Sequence, residues 1–252
     1  MKYVRFKENN KVKYGVVEGD SIKELNGSFL NASPELTGRE VRLEGVRLLS
    51  PVKPGKVVCV GLNYAEHIIE MDDFKPDVPK LFMKPSTSVI GPEDDIIWPS
   101  MSERVDYEGE LAVVIGRALK NASPEEAMEG IFGYTCGNDV TARDLQKKDG
   151  QWTRAKSFDT FCPLGPWIVT DIDVSNLKIQ SELNGELLQN SSTKFLLVPV
   201  PELISFISQV MTLEPGDVVL TGTPKGVGPM KIGDEIVIAI EGIGELKNKI
   251  RK

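Results

Sequence analysis

Residues 105–115 read VDYEGELAVVI and belong to a strand predicted over 105–116, in which positions 106, 108 and 110 are acidic. Because side chains alternate across a strand, Asp106, Glu108 and Glu110 are predicted to lie on one face. Like charges on one face repel unless they are solvated or neutralised, and glutamate is a poor strand former. Two interpretations are open at this point: a solvated outer face, or a hard divalent cation held by carboxylate oxygens.

The remaining sequence predicts a mainly β fold with a few helices. Short apolar runs between turn residues predict further strands at 3–6, 14–17, 56–61, 134–140, 217–221 and 235–240. Helical spacing or capping residues predict helices at 64–71, from Ser123 onward and at 201–211. Asn184-Gly185 predicts a tight hairpin. Many strands with few helices indicate an α+β protein built on a barrel or rolled sheet.

Two prolines and a glycine between residues 48 and 55 make this stretch the best candidate for a linker. It would separate a small β-rich N-terminal domain, residues 1–48, from a larger domain, residues 49–252. The acidic stretch belongs to the larger domain. The smaller one is interpreted as structural or as part of an interface.

Composition excludes several classes of function. A net charge of −7 argues against a nucleic-acid binder, whose surface is normally basic. The single histidine, His67, excludes any site that needs two imidazoles from one chain, such as an HExxH zinc protease. Three cysteines without a CxxC pair suit a reducing compartment. With no signal peptide and no apolar run near the roughly 20 residues that span a bilayer, a cytoplasmic protein without a membrane partner is expected.

A carboxylate metal site needs a further ligand from elsewhere in the chain. Asp139 is a candidate, because it follows Gly137-Asn138 near the end of the strand predicted at 134–140. Taken alone, an acid at this position fits a turn residue at a strand end equally well.

Six sequence blocks occur in order between residues 61 and 228. They are GLNY (61–64) with His67 and Glu70, FMKP (82–85), DYEGEL (106–111), GNDVTARDLQ (137–146), KSFD (156–159) and TGTPKGVG (221–228). Together these blocks resemble the fumarylacetoacetate hydrolase family, over roughly residues 50–250. The resemblance implies a mixed β-roll core for the larger domain, and commonly a homodimer.

The same resemblance implies Mg²⁺ or Mn²⁺ held by Glu108, Glu110 and Asp139. It also places the His67 block on a mobile lid. Residues 72–77 fit the flank of such a lid, although a plain polar loop has the same composition. No nucleotide cofactor is expected, since the Gly-rich loop 222–228 lacks P-loop spacing and no GxGxxG occurs.

Three residues are candidates for catalysis. His67 and Glu70 are three residues apart and would share a helix face, so Glu70 could orient the imidazole while His67 takes a proton from water. The alternative for His67 is a surface or packing residue. Lys156 could place a positive charge beside a developing enolate or oxyanion, although most lysines are simply exposed.

Three more residues are candidates for substrate binding. Arg143 and Gln146 resemble the polar residues on the substrate side of the family's site. Arg143 could instead form a structural pair with Asp144 or Asp139. Thr223 could offer its hydroxyl and its backbone N–H to a substrate carboxylate.

Three carboxylates around one divalent cation leave coordination positions for a 2-oxo acid, through its carboxylate and its keto oxygen. We therefore expect an enzyme that hydrolyses a C–C bond of a 2,4-dioxo acid, in the manner of an acylpyruvase, or decarboxylates a 2-oxo acid. One alternative is an isomerase, tautomerase or dehydratase, acting on a hydroxyhepta-diene-dioate or a 2-keto-3-deoxy sugar acid. Another is a metal- or ligand-binding protein without turnover. Residues 62–80 and 145–155 are expected to recognise the rest of the small-molecule substrate.

Overall fold

The computed structural model of the chain describes residues 1–30, 34–72 and 74–252. The strands are β1 (Lys2–Glu8), β2 (Lys11–Glu18), β3 (Ser21–Leu25), β4 (Leu36–Arg42), β5 (Arg47–Leu48), β6 (Val57–Gly61), β7 (Lys80–Lys84), β8 (Val89–Ile90), β9 (Asp95–Ile97), β10 (Val105–Tyr107), β11 (Gly109–Ile115), β12 (Ile131–Asn138), β13 (Thr141–Ala142), β14 (Cys162–Val169), β15 (Lys178–Leu183), β16 (Glu186–Ser192), β17 (Val218–Leu220), β18 (Gly228–Pro229), β19 (Glu235–Ile240) and β20 (Gly244–Arg251). The α-helices are α1 (Ala65–Glu70), α2 (Pro124–Gly130), α3 (Arg143–Asp149), α4 (Thr153–Lys156) and α5 (Val200–Val210).

The described strands form three mixed or antiparallel sheets. The largest runs β4-β3-β2-β1-β14-β12-β11-β17-β6-β7, with β5 paired to β1 and β8 paired to β14. A second sheet runs β16-β15-β19-β20-β9, and a third runs β13-β10-β18. Strand pairs are mostly antiparallel, and β17–β6, β14–β8 and β20–β9 are parallel. This architecture confirms the predicted mainly β fold with a few helices.

The N-terminal strands predicted at 3–6 and 14–17 form a hairpin. β1 pairs with β2 around the turn at Asn9 and Asn10. β1 also pairs with β14, where Lys2 faces Val169, so the hairpin continues the large sheet. The division of the chain into residues 1–48 and 49–252 stays a prediction.

The two longer predicted helices form where their capping and spacing place them. The Ser123 side chain accepts a hydrogen bond from the backbone N–H of Glu126, and the Glu126 side chain accepts one from the backbone N–H of Ser123. These two reciprocal bonds cap the N-terminus of α2. α5 packs against α2 and buries Leu203, Ile204 and Ile207. The helix predicted at 64–71 is α1, and the Asn-Gly hairpin joins β15 and β16.

The strand β11 is buried on both of its faces. Leu111, Val113 and Ile115 enter one apolar cluster, and Ala112 and Val114 enter another. A strand covered on both sides is expected to be apolar at successive positions rather than at alternate ones. This explains the unbroken run LAVVI.

The strand predicted over 105–116 is divided at Glu108. β10 belongs to the three-stranded sheet and β11 to the large sheet. The backbone N–H groups at the change of sheet bond to side chains: Glu108 N donates to Asn138 Oδ1 at 3.0 Å, and Gly109 N to Gln189 Oε1 at 2.9 Å. A side chain at position 109 would place its Cβ 2.4 Å from Ser181 Oγ, so any residue other than glycine would displace this side chain. Residues 105–115 are all buried, and the interpretation as a solvated face is wrong.

Cys59, Cys136 and Cys162 are buried and free, as expected for a chain without a disulfide framework. In the described part of the chain, no helix has the length and apolar character that a membrane span requires.

Candidate active site

Three carboxylates meet near the start of β11 and the end of β12. Glu108 lies at the change of sheet, Glu110 lies in β11, and Asp139 follows β12. Asp139 N donates to Glu108 O at 2.9 Å, which joins the two segments. One carboxylate oxygen of each residue lies within 4.8 Å of the others, and all three residues are buried. The third acid of the predicted strand, Asp106, lies outside this group.

Asp106 is neutralised by arginine instead. Its Oδ1 lies 2.9 Å from Arg104 Nε and its Oδ2 lies 2.9 Å from Arg143 Nε. The prediction that Asp106, Glu108 and Glu110 share one face is wrong for Asp106. It assumed an unbroken strand, but the chain passes from one sheet to another at Glu108.

Buried cations surround the three carboxylates. Lys156 Nζ lies 2.8 Å from Glu108 Oε2 and 2.6 Å from Asp139 Oδ2, and Lys84 Nζ lies 2.5 Å from Asp139 Oδ1. Lys156 is only 2 % exposed, so the alternative of a surface lysine is wrong. Lys84 was not predicted as a site residue.

Arg143 pairs with Asp106 and Glu108, not with Asp144 or Asp139 as the structural alternative supposed. Its Nη1 donates to Gln146 Oε1 at 2.6 Å. Since the amide oxygen of Gln146 faces the guanidinium, the amide N–H groups are the ones left to donate to a ligand. Asp144 accepts a hydrogen bond from Ser102 Oγ at 2.6 Å instead.

The three carboxylates do not share these cations equally. Burial opposes ionisation of Glu108, yet the charges of Lys156, Arg143 and His67 lower its pKa below the usual range. Burial, together with the neighbouring charges of Asp139 and Glu108, raises the pKa of Glu110 well above the usual range. Glu110 accepts a hydrogen bond from Gly222 N at 2.7 Å, and no described lysine or arginine forms an ion pair with it.

This donor set fits a hard divalent cation. Carboxylate oxygens are the ligands that Mg²⁺ and Mn²⁺ prefer, and three of them converge here within binding distance of a single ion. A cation held by Glu108, Glu110 and Asp139 would also supply the positive charge that Glu110 lacks.

His67 and Glu70 form a hydrogen-bonded pair on α1. His67 Nδ1 lies 3.0 Å from Glu70 Oε2, at the predicted i,i+3 spacing. Glu70 Oε1 accepts a hydrogen bond from Gly226 N at 2.9 Å, which joins α1 to the loop 222–228. The ring is buried but not within an apolar core, because His67 lines the same cavity as the carboxylates. Of the lid flank predicted at 72–77, Asp73 lies outside the described residues.

A cavity of about 230 Å³ brings the predicted site residues together. It is lined by His67, Glu108, Glu110, Asp139, Arg143, Gln146, Lys156 and Thr223, while Glu70 contacts His67 instead. The Thr223 hydroxyl donates to Gly109 O at 2.9 Å and accepts from Gln189 Nε2 at 2.8 Å. The backbone N–H of Thr223 is therefore the group left for a ligand.

Sequence reasoning predicted only part of one side of this cavity. Lys80 and Trp152 fall within the ranges 62–80 and 145–155 that were expected to recognise the substrate, whereas Phe82 and Lys84 were not predicted as site residues. Lys80, Phe82 and Lys84 alternate along β7, and such residues share one face of a strand. Lys80 and Phe82 line the cavity together with Trp152. The signal was present in the sequence KLFMK, where two lysines flank a phenylalanine at every second position. It is weak, because the same pattern is typical of a solvated strand face.

Comparison with known proteins identifies the family. The family model described as fumarylacetoacetate (FAA) hydrolase C-terminal matches residues 56–251. The chain belongs to the fumarylacetoacetate hydrolase family. A second model, described as Rv2993c-like, N-terminal, matches residues 1–51.

Members of the family with different names resemble this chain. The mitochondrial oxaloacetate tautomerase Fahd2a of Rattus norvegicus is 46% identical over 217 residues, which cover 81% of this chain and 69% of the relative. The crystal structure of 5-carboxymethyl-2-hydroxymuconate delta-isomerase from Mycobacterium smegmatis is 47% identical, with a TM-score of 0.93 over 100% of this chain and 99% of the other.

A third relative has been solved with a metal. Maleylpyruvate hydrolase from Sphingobium sp. SYK-6, in complex with manganese (II) ion and pyruvate, is 30% identical, with a TM-score of 0.84 over 100% of this chain and 99% of the other. Isomerases, tautomerases and hydrolases thus share this fold, and at least one of them binds a divalent metal together with a 2-oxo acid.

Proposed function

We propose that the protein is a divalent-metal-dependent enzyme that hydrolyses the C–C bond beside the ketone of a 2,4-dioxo acid, in the manner of an acylpyruvase, or decarboxylates a 2-oxo acid. The observation that carries this proposal is the convergence of three buried carboxylates with the His67–Glu70 pair at one cavity. The first group suits a metal and the second suits the activation of water, and C–C hydrolysis needs both.

Mg²⁺ or Mn²⁺, when held by Glu108, Glu110 and Asp139, supplies a Lewis acid that polarises the keto oxygen of the substrate. Lys156 Nζ lies against two of these carboxylates and can donate a hydrogen bond to a substrate oxygen that becomes negative beside them. The carboxylate of the 2-oxo acid would accept hydrogen bonds from the Gln146 amide and from Thr223 N.

His67 is the proposed base. Its Nδ1 is bonded to Glu70 Oε2, so Nε2 is the nitrogen that takes the proton from water. The Glu70 carboxylate stabilises the imidazolium that results, in addition to orienting the ring. Arg143 bonds to Glu108 and Gln146 and is proposed to position both of them.

A turnover assay tests this proposal. A panel of acylpyruvates, with oxaloacetate and sugar-derived 2-oxo acids, is followed by ultraviolet absorbance in the presence of Mg²⁺, Mn²⁺ or EDTA. We expect metal-dependent loss of absorbance that EDTA abolishes. His67→Ala should reduce hydrolysis at least about a hundredfold, the usual contribution of a general base, without weakening metal binding measured by calorimetry. Equal rates with and without EDTA would contradict the proposal.

An isomerase or tautomerase is the second candidate. Two named relatives that are 46% and 47% identical are a tautomerase and an isomerase, whereas the fumarylacetoacetate hydrolase of Exiguobacterium antarcticum is 40% identical and maleylpyruvate hydrolase is 30% identical. These reactions do not require attack by water. Full activity in His67→Ala, with a product of unchanged mass, would favour this candidate. Binding of metal and of oxalate, an analogue of an enolate, without turnover of any compound would indicate a binding protein.

Two further expectations belong to this proposal: a homodimer, which the family resemblance implies, and a cytoplasmic location, which the cysteine content and the N-terminal sequence suggested. Light scattering of the purified protein tests the first, and fractionation of its native cells tests the second.

A further inference from the structure

The loop 222–228 contacts several parts of the candidate site. At its start, Gly222 N donates to Glu110 Oε2 at 2.7 Å, and Thr223 lines the cavity. Toward its end, Gly226 meets the proposed base pair. The position of this one loop therefore affects a metal ligand, a substrate-binding group and a base.

The pair formed by His67 and Glu70 depends on contacts outside its own helix. α1 has only six residues, and a helix this short has little stability by itself. The Glu70 side chain is 31% exposed, so packing alone does not hold it. One of its carboxylate oxygens contacts His67 Nδ1, and the other accepts a hydrogen bond from Gly226 N at 2.9 Å. The backbone of the loop is therefore what fixes Glu70 on the side away from the imidazole.

Another contact joins α1 to the loop, but it is exposed. Lys225 Nζ lies 3.0 Å from Glu66 Oε2, and the two side chains are 58% and 63% exposed. Ion pairs in water contribute little stability, because solvent screens the charges and both side chains lose freedom. The hydrogen bond between Gly226 and Glu70 is therefore the more important link.

Gly226 is held from its other side by Tyr107. The Tyr107 hydroxyl donates to Gly226 O at 2.7 Å, while Gly226 N donates to Glu70. The φ angle of Gly226 is +97°, and a Cβ there would lie 2.3 Å from Leu188 O, so the loop passes close to β16 in a conformation that favours glycine. Both backbone polar groups of this one residue are thus bonded to side chains.

Tyr107 is itself well fixed. It lies in β10, is 1% exposed and packs in the same apolar cluster as Leu111. Its backbone pairs with Gly228 of β18, so the strand and the hydroxyl hold the same end of the loop. A continuous chain of hydrogen bonds then runs from Tyr107 through Gly226 and Glu70 to His67.

We propose that Tyr107 is a positioning residue for the base: through the Gly226 backbone it fixes Glu70, and through Glu70 it keeps the His67 ring oriented with the proton on Nδ1. This inference rests on the proposed function in one respect, since it takes His67 as the base. Although Tyr107 precedes Glu108 in the chain, its hydroxyl acts at the loop. Removal of the hydroxyl should therefore leave metal binding intact.

The lone histidine makes the state of the ring directly measurable. In protein that carries no histidine tag and is labelled with ¹⁵N-histidine, the NMR spectrum contains signals from His67 only, and the ¹⁵N shifts give the ratio of the two neutral tautomers. A carboxylate bonded at Nδ1 favours the proton there. We expect mainly this tautomer in the wild-type protein, and a shift toward the Nε2-protonated form in Tyr107→Phe. Tyr134→Phe is the matched control, because Tyr134 is a buried tyrosine of β12 that takes no part in this chain of hydrogen bonds.

Turnover gives the second measurement. Tyr107→Phe removes one hydrogen bond and keeps the ring, so kcat should fall about three- to tenfold, with KM and the metal Kd from calorimetry unchanged. Glu70→Ala leaves no carboxylate to position. In that background, Tyr107→Phe should change kcat by less than about twofold.

An unchanged tautomer ratio or an unchanged kcat in Tyr107→Phe would overturn the inference, as would an equal fold loss in the Glu70→Ala background. Weakened metal binding would also overturn it, because the substitution would then act through Glu108. Absence of turnover with every substrate would instead count against the proposed function. In that case the tautomer ratio still decides whether Tyr107 positions the ring.

Discussion

Replacement of Lys84 by methionine tests the charge balance of the site directly. Lys84 is 1 % exposed, its Nζ lies 2.5 Å from Asp139 Oδ1, and it donates to Val140 O at 2.9 Å. Methionine has a similar length and no charge. The substitution therefore removes the ion pair while it keeps most of the packing of the lysine stem.

The structure sets the size of the effect. Removal of one partner from a buried ion pair costs about 3–5 kcal/mol, because the remaining charge stays in a medium of low dielectric. Lys156 Nζ remains 2.6 Å from Asp139 Oδ2, so Asp139 keeps one counter-charge. We therefore expect a loss near the lower end, about 3 kcal/mol of unfolding free energy, in the absence of metal. A bound divalent cation adds positive charge at the same carboxylate, so the loss should be smaller in excess Mg²⁺.

Urea unfolding followed by circular dichroism measures this loss, in EDTA and in excess Mg²⁺ at one protein concentration. Lys53→Met is the matched control, because Lys53 is exposed and its replacement should change stability by less than about 0.5 kcal/mol. A double-mutant cycle with Asp139→Asn should give a coupling energy of at least about 1 kcal/mol between the two residues. A Lys84→Met protein as stable as the control in EDTA, or a cycle without coupling, would refute the reasoning.

Three further substitutions have defined outcomes. Gly109→Ala should lower the unfolding free energy in urea by about 1–3 kcal/mol and weaken metal binding in calorimetry, because its Cβ would meet side-chain oxygens at 2.4 and 3.1 Å. Gly45→Ala is the control, because the space around Gly45 is open and its replacement should not weaken metal binding. Glu70→Gln keeps a hydrogen-bond acceptor for His67 but removes the charge that stabilises the imidazolium, so kcat should fall roughly ten- to a hundredfold with an unchanged metal Kd; an unchanged kcat would exclude this role. Ser123→Ala removes the cap of α2 and should lower unfolding free energy by about 1 kcal/mol with no change in kcat, and a change in kcat would show that α2 affects the site.

Local sequence patterns were sufficient to predict many helices and turns, because the interactions that form these elements join residues close together in the chain. The cap of α2 depends on Ser123 and Glu126, which are three residues apart and hydrogen-bond to each other's backbone. The hairpin at Asn184 and Gly185 depends on two residues that accept the turn conformation. Elements of this kind were predicted correctly because no distant partner was needed to form them.

The acidic stretch shows where local reasoning ends. Its spacing correctly drew attention to Glu108 and Glu110, but the alternation rule assigned Asp106 to the same group. The chain leaves one sheet and enters another at Glu108, where Asn138 and Gln189 bond to its backbone. These partners come from distant segments, and nothing in the spacing of residues 105–116 reveals them.

By itself, the sequence determined the mainly β fold, the ordered blocks that mark the family, and the set of carboxylates and bases at the candidate site. Only the tertiary structure decided which charges neutralise one another: Arg143 with Asp106 and Glu108, and Lys84 and Lys156 with Asp139. It also placed the Lys80 ammonium over the Trp152 ring. The physical reason is that a side chain's type and period are local properties. Burial and the pairing of charges depend instead on distances between segments far apart in the chain, and those distances are set only when the sheets pack together.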